Sequence, residues 1–235
     1  MSGGTTVRAV GAETVKLRTL PAAAWTLVLT VAGAGLLAAA FAAAPEAGSS
    51  ADIAVRTVRF VQVGILVMGI WPVAHEYAGR QRCTTLLAVP RRGILVVAKM
   101  IAAAAASSLL AVLSLGTAFI VAVLAGAPSR VTAEEARSLA GAALYLALIG
   151  LLGHGLALVT RSLMPALVAG LLLVLILPPL LEQATAQARW LPSAGVLLFE
   201  SSDPLLGPFG GGAVLIGWVA VVTAVGAALT VHRDA

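Results

Sequence analysis

The chain has 235 residues, of which 60% are hydrophobic and 11% charged, with a formal net charge of +5. A soluble domain gives about 25% of its residues to charge because its whole surface is wetted, so fifteen Lys+Arg and ten Asp+Glu are too few to cover a globule of this size. A mean hydropathy of +1.02 also excludes one anchor on a soluble head, and the basic residues lie between apolar runs, which argues for topology and anionic-lipid contacts and against nucleic-acid binding.

Residues 1–21 read as a cytoplasmic tail. Arg8, Glu13, Lys16 and Arg18 are its charges, and Val7, Val10, Thr14 and Leu17 recur at helical spacing. That stripe suits an amphipathic helix lying on the cytoplasmic leaflet; the alternative is a basic tail that only sets topology. The first span is expected over 22–44. Its end, Ala42-Ala43-Ala44, resembles a signal-peptidase site, but the apolar run exceeds the roughly 7–15 residues of a secretory h-region, so it reads as uncleaved.

The second span is expected over 53–74, with Arg56 and Arg59 snorkelling to the interface. The third, 94–125, is interrupted only by Lys99. It is longer than the roughly 20 residues of one perpendicular crossing, so it should tilt or project into the cytoplasm. The fourth covers 139–160 and the fifth 163–181, separated only by Arg161 and Ser162 in a tight hairpin. The sixth covers 212–231.

Backbone groups in lipid must bond internally, so these runs are helices, and the short alternating segments of a β-barrel are missing. The expected fold is an all-α integral membrane protein of six transmembrane helices in one domain, residues 1–235. With both termini inside, Arg8, Lys16, Arg18, Arg80, Arg82, Arg91, Arg92, Lys99, Arg161 and Arg233 are cytoplasmic. Arg56, Arg59, Arg130, Arg137 and Arg189 are external; ten against five obeys the positive-inside rule.

Two loops are more than connections. Between spans two and three, His75 to Gly93 surrounds a short apolar core, Leu86-Leu87-Ala88-Val89, with Glu76 and four arginines, and Pro90 ends it. Thr84 or Thr85 would cap a short helix there. Such a helix suits docking to a cytoplasmic protein, and a loop that meets only lipid headgroups fits equally. Between spans five and six, Ala184 to Gly211 is too apolar for a free loop, and Pro192, Pro204 and Pro208 divide it. Short helices dipping into the outer interface with Trp190 as anchor fit this pattern, either as a lid or packed on the bundle.

Catalytic chemistry finds little support. No Gly-x-x-x-x-Gly-Lys-Ser/Thr phosphate loop is present, and Lys16 and Lys99 follow no glycine. Cys83 alone supports neither a disulfide nor a cysteine metal site. His154 is the one potential metal-ligating side chain (His, Cys, Asp or Glu) in the middle of a span, and a metal needs about three or four convergent ligands. Packed or pore-facing, it reads as a polar residue of the pathway. Glu134-Glu135-Ala136-Arg137 looks superficially like a glutamate-pair motif but falls outside, which weakens a membrane-embedded enzyme. A secondary transporter or channel is the other alternative, although the spans offer little beyond His154, Ser107, Ser108 and Ser114.

Together these features resemble the membrane subunit of the type-2 class of ATP-binding-cassette exporters, particularly the six-span permeases of actinobacteria. The resemblance rests on Glu13-Thr-Val-Lys16-Leu-Arg18-Thr before the first span and on Glu76, Gly79, Thr85-Leu86-Leu87, Pro90-Arg91-Arg92 and Lys99 after the second. Trp190-Leu191-Pro192-Ser193 adds to it. It implies an elbow helix containing Glu13, Lys16 and Arg18. It also implies a coupling helix from Glu76 to Arg92, with Arg80 and Arg82 among its charges, that touches a separate ATPase subunit. A second permease copy, homodimeric or heterodimeric, is implied as well. ATP and magnesium would belong to the ATPase partner, with no cofactor on this chain. The location would be the bacterial cytoplasmic membrane and the work alternating-access export.

Overall fold

A computed structural model describes Gly11 and residues 20–45, 48–78, 92–182, 186–200 and 205–233. The described residues are helical with no strand, and six helical segments are long and apolar enough to cross a membrane. The protein is therefore an all-α multi-pass membrane protein.

Helix α1, Pro21–Ala42, starts on a proline, whose missing N–H is an orphan at that position anyway. The next apolar run divides, where one span over 53–74 was expected. Helix α2, Ser50–Arg56, is capped by the Ser49 hydroxyl, which accepts from the Asp52 amide, and Asp52 pairs with Arg56 at 2.8 Å. Thr57 then intervenes, its hydroxyl donating to the Ala54 carbonyl at 2.7 Å, and α3, Val58–Ala78, makes the crossing. Tertiary anchoring explains the division. The Ser50 amide and hydroxyl both donate to the Pro128 carbonyl, at 3.1 and 2.9 Å, so α2 is held beneath the turn that follows the next span.

Helix α4, Arg92–Leu124, has 33 residues, about 50 Å at 1.5 Å per residue, against a hydrocarbon core of about 30 Å. Helix α5, Ala133–Thr160, starts from a capping box in which Thr132 and Glu135 satisfy each other's backbone amides. Arg161 follows in the left-handed conformation, φ 57°, and turns the chain directly into the next span.

That fifth span is built as α6, Leu163–Leu171, a π-helical turn, Leu172–Ile176, and α7, Leu177–Glu182. Pro178 explains the widened turn: it lacks an N–H, and its ring would clash with the carbonyl four residues earlier. Two 3₁₀ segments follow, Ala186–Trp190 and Pro192–Leu198, and α8, Gly207–Arg233, is the last span.

The spans are not equivalent. In its most apolar stretch α5 is 67% buried and α3 56%, whereas α1 is only 11% and the α6–α7 span 22%. Helix α5 is the axis, packed on α3, α4, α6 and α8; α1 lies outside against α3 and α4. The second 3₁₀ segment folds back on α5 and α8. A Cβ on Gly141 would overlap the Leu198 carbonyl, and one on Gly211 the Ala194 carbonyl, so this segment packs tightly on the bundle.

Candidate functional site

The closest approach in the bundle joins α3 and α5. A Cβ on Gly69 would overlap the Gly150 carbonyl oxygen, and one on Gly153 would come within 2.9 Å of the Leu66 carbonyl. Helix α4 closes the third side, with the Ser107 side chain lying against Gly150. Small residues permit this backbone-to-backbone packing, which holds helices together where lipid offers no hydrophobic drive for association.

Polar groups converge along the seam that these three helices form. On α3, Gln62, Gly69 and Glu76 recur every seven residues and so share one face. At one end the Glu76 carboxylate and the Lys99 ammonium of α4 meet at 2.5 Å, with side chains only 7% and 10% exposed. Two charges taken this far out of water need each other, since an unpaired one costs several kcal/mol, on the order of 3–5.

Deeper along the seam stands His154 of α5, 1% exposed. The Gly69 backbone is near the ring, and neither ring nitrogen has a protein partner within hydrogen-bond geometry. Lys99 and Glu76 are the two charges that act on it. The hydroxyls of Ser107 and Ser114, both fully buried, are also unpartnered. Nearer the opposite end the Tyr145 hydroxyl donates to Gln62 Oε1 at 2.7 Å, and the Tyr145 ring meets Phe199 edge-on with centroids 5.4 Å apart.

The two ends of the bundle are closed differently. At the end shared by α2, the α4–α5 turn and the 3₁₀ segments, Arg59 approaches Glu200 at 3.5 Å and the Ser49 hydroxyl donates to Glu135. The Trp218 indole N–H donates to the Trp190 carbonyl at 2.7 Å. Beside that pair an apolar groove of about 550 Å³ opens along Gly210, Ala213 and Gly217 of α8. At the Glu76 end, Arg161 donates to the Leu229 carbonyl at 2.9 Å and ties the turn after α5 to α8.

Of the residues singled out in the sequence, Glu76 and His154 are placed in this seam. Gly79, Arg80, Arg82, Thr85, Leu86, Leu87, Pro90 and Arg91 lie outside the described residues, as do Glu13, Lys16, Arg18 and Cys83. Arg92 opens α4. The Glu76–Lys99 pairing escaped the sequence reading although both residues were noted, because 23 positions separate them. Gln62 gave no signal beyond being a lone amide in an apolar run. Among the described residues no three His, Cys, Asp or Glu side chains gather as a metal site would require. No protein-family model matches the chain, and no curated protein does.

Proposed function

We propose that the chain is the membrane-spanning permease subunit of an ATP-binding-cassette exporter of the type-2 class, moving its cargo by alternating access with ATP hydrolysed on a separate subunit. One observation carries the reading. The buried Glu76–Lys99 ion pair ties the end of α3 to the first turns of α4. These are the helices that flank residues 79–91, where the Gly79, Thr85-Leu86-Leu87 and Pro90-Arg91-Arg92 pattern stands.

A force applied to that segment has a defined route into the bundle. The ion pair couples α3 to α4 at its base, and α3 bears on α5 through Gly69 and Gly150. Both helices therefore respond as a unit when the segment moves. The surface charge distribution supports a cytoplasmic Glu76 end with both termini on that side, and it supports residence in a bacterial cytoplasmic membrane. A second permease copy completes the assembly, and the weakly polar seam suits apolar or amphipathic cargo.

The test is purification of the full chain from native membranes, with the copurifying proteins identified. An ATP-binding-cassette ATPase should copurify, and charge reversal at Glu76, Arg80 and Arg82 should uncouple its hydrolysis from transport. A preparation that transports with no ATPase bound, driven by a proton or sodium gradient, would sink the assignment in favour of a secondary carrier.

A further inference from the structure

His154 poses a problem of hydrogen bonding that the protein groups around it do not solve. A neutral imidazole has one N–H donor and one acceptor nitrogen, and leaving either unmade in a dry interior costs about 1–3 kcal/mol. Both nitrogens of His154 are without a protein partner, and so is the Ser107 hydroxyl on the facing helix. Buried polar atoms in such a position are ordinarily satisfied by ordered water, which needs two to four polar partners and room to sit. Along this seam the candidates are the His154 nitrogens, the Gly69 carbonyl near them, and the Ser107 hydroxyl beside Gly150.

The route to the site is one-sided. His154 lies six residues before the end of α5, about 9 Å along the helix axis, and the Glu76–Lys99 pair stands between it and that end of the bundle. In the other direction the α3–α5 seam narrows to the Gly69–Gly150 contact, where the Ser107 side chain lies, and the fully buried Ile65 packs beyond it. A buried ion pair on one side and apolar packing on the other bound this polar stretch of the seam.

We propose that the seam between α3, α4 and α5 is a hydrated proton-binding site, in which water entering from the Glu76 end bonds His154 and Ser107 and exchanges protons with the imidazole. The ring nitrogen without a proton takes one from a hydronium ion, which is left as water, and the reverse step returns it. Glu76 from α3 and Lys99 from α4 are charged groups whose field reaches the ring. From α8 the neighbours are Thr223 and Val222, packed against Gly155, and neither is ionisable. An imidazolium at this place would compete with Lys99 for the Glu76 carboxylate, so proton uptake and the tie between α3 and α4 are coupled. The inference concerns the three helices alone and holds whatever energises the protein.

Two measurements on the full chain in lipid nanodiscs test it. X-ray hydroxyl-radical labelling in ¹⁸O-water marks side chains beside internal water. The His154 peptide should oxidise several-fold faster than peptides of equal burial on the far side of α5, and Ser107→Val should reduce that labelling. Histidine-selective ¹⁵N spectra, with His154 assigned by the signal lost in His154→Gln, should show its imidazole shifts moving with bulk pH. His75 and His232 are the other two histidines and serve as internal comparison. Labelling of the His154 peptide no faster than that of its apolar neighbours overturns the hydrated site. Shifts that stay constant over the whole pH range in which the protein remains folded overturn proton exchange.

Discussion

Gly69 of α3 and Gly150 of α5 are in backbone contact, so that a single methyl group on Gly69 would come within 2.0 Å of the Gly150 carbonyl oxygen. Neither a rotamer change nor a side-chain shift relieves such an overlap, because the obstacle is main chain. Gly69→Ala must push the two most buried spans apart, and overpacking of this kind costs about 1–3 kcal/mol or more. Gly116→Ala on α4 is the matched control. A Cβ there meets nothing, and replacing a mid-helix glycine gains roughly 0.5–1 kcal/mol. Thermal unfolding in detergent should show the first variant melting earlier and the second no earlier than the parent.

The Glu76–Lys99 pair gives a second expectation. Lys99→Met takes the Lys99 ammonium from a buried carboxylate, for a loss of up to about 3–5 kcal/mol. Removing both charges in Glu76→Gln/Lys99→Met should recover most of that loss, because an apolar or neutral pair of similar volume is tolerated where half an ion pair is not. A double-mutant cycle on unfolding free energy measures the difference. Single and double variants of equal stability would show that the pair is not buried in the membrane.

Tyr145→Phe removes the donor to Gln62 and leaves a buried amide oxygen without its bond. The cost expected is about 1–3 kcal/mol, and the edge-on contact with Phe199 should persist, since the ring is unchanged. Pairing Tyr145→Phe with Gln62→Leu, which removes both partners, should be milder than Tyr145→Phe alone. Chemical denaturation in mixed micelles distinguishes the two.

At the start of α5 the capping box predicts a smaller effect. Thr132→Ala deprives the Glu135 amide of its acceptor, for about 1 kcal/mol. Amide exchange read by mass spectrometry should rise in the first turn of α5 and stay unchanged near His154. Exchange that rises along the whole helix would mean that the cap governs the span rather than its first turn.

The six crossings were legible because lipid imposes a length on every apolar run, and the sequence from Pro21 to Ala42 or from Gly207 onward obeys it with no help from its neighbours. The division at Thr57 was not legible. Ile53 and Val58 continue one apolar pattern, and only the Pro128 carbonyl, more than seventy residues away in the chain, explains why Ser50 anchors a separate helix. His154 stood out by composition, but its lack of a protein partner is a property of three helices together. The Gly69–Gly150 contact was hidden for a different reason: in a chain rich in alanine and glycine, no single glycine announces that its hydrogen is required.

The placement of α1 has a consequence for biogenesis. This helix leaves the ribosome ahead of α3 and α4, yet its resting place is their outer face. Until they arrive it must live alone in lipid, and its chemistry permits that. It carries no charge, and the hydroxyls of Thr26 and Thr30 donate to their own helix, at Ala22 and Thr26 carbonyls 2.8 and 2.6 Å away. The polar-bearing α5 is in the reverse position. By the time Tyr145 and His154 emerge, Gln62, Gly69, Lys99 and Ser107 are already in the bilayer to receive them. The order of synthesis thus sends the self-sufficient span ahead and delivers the dependent one to a prepared surface.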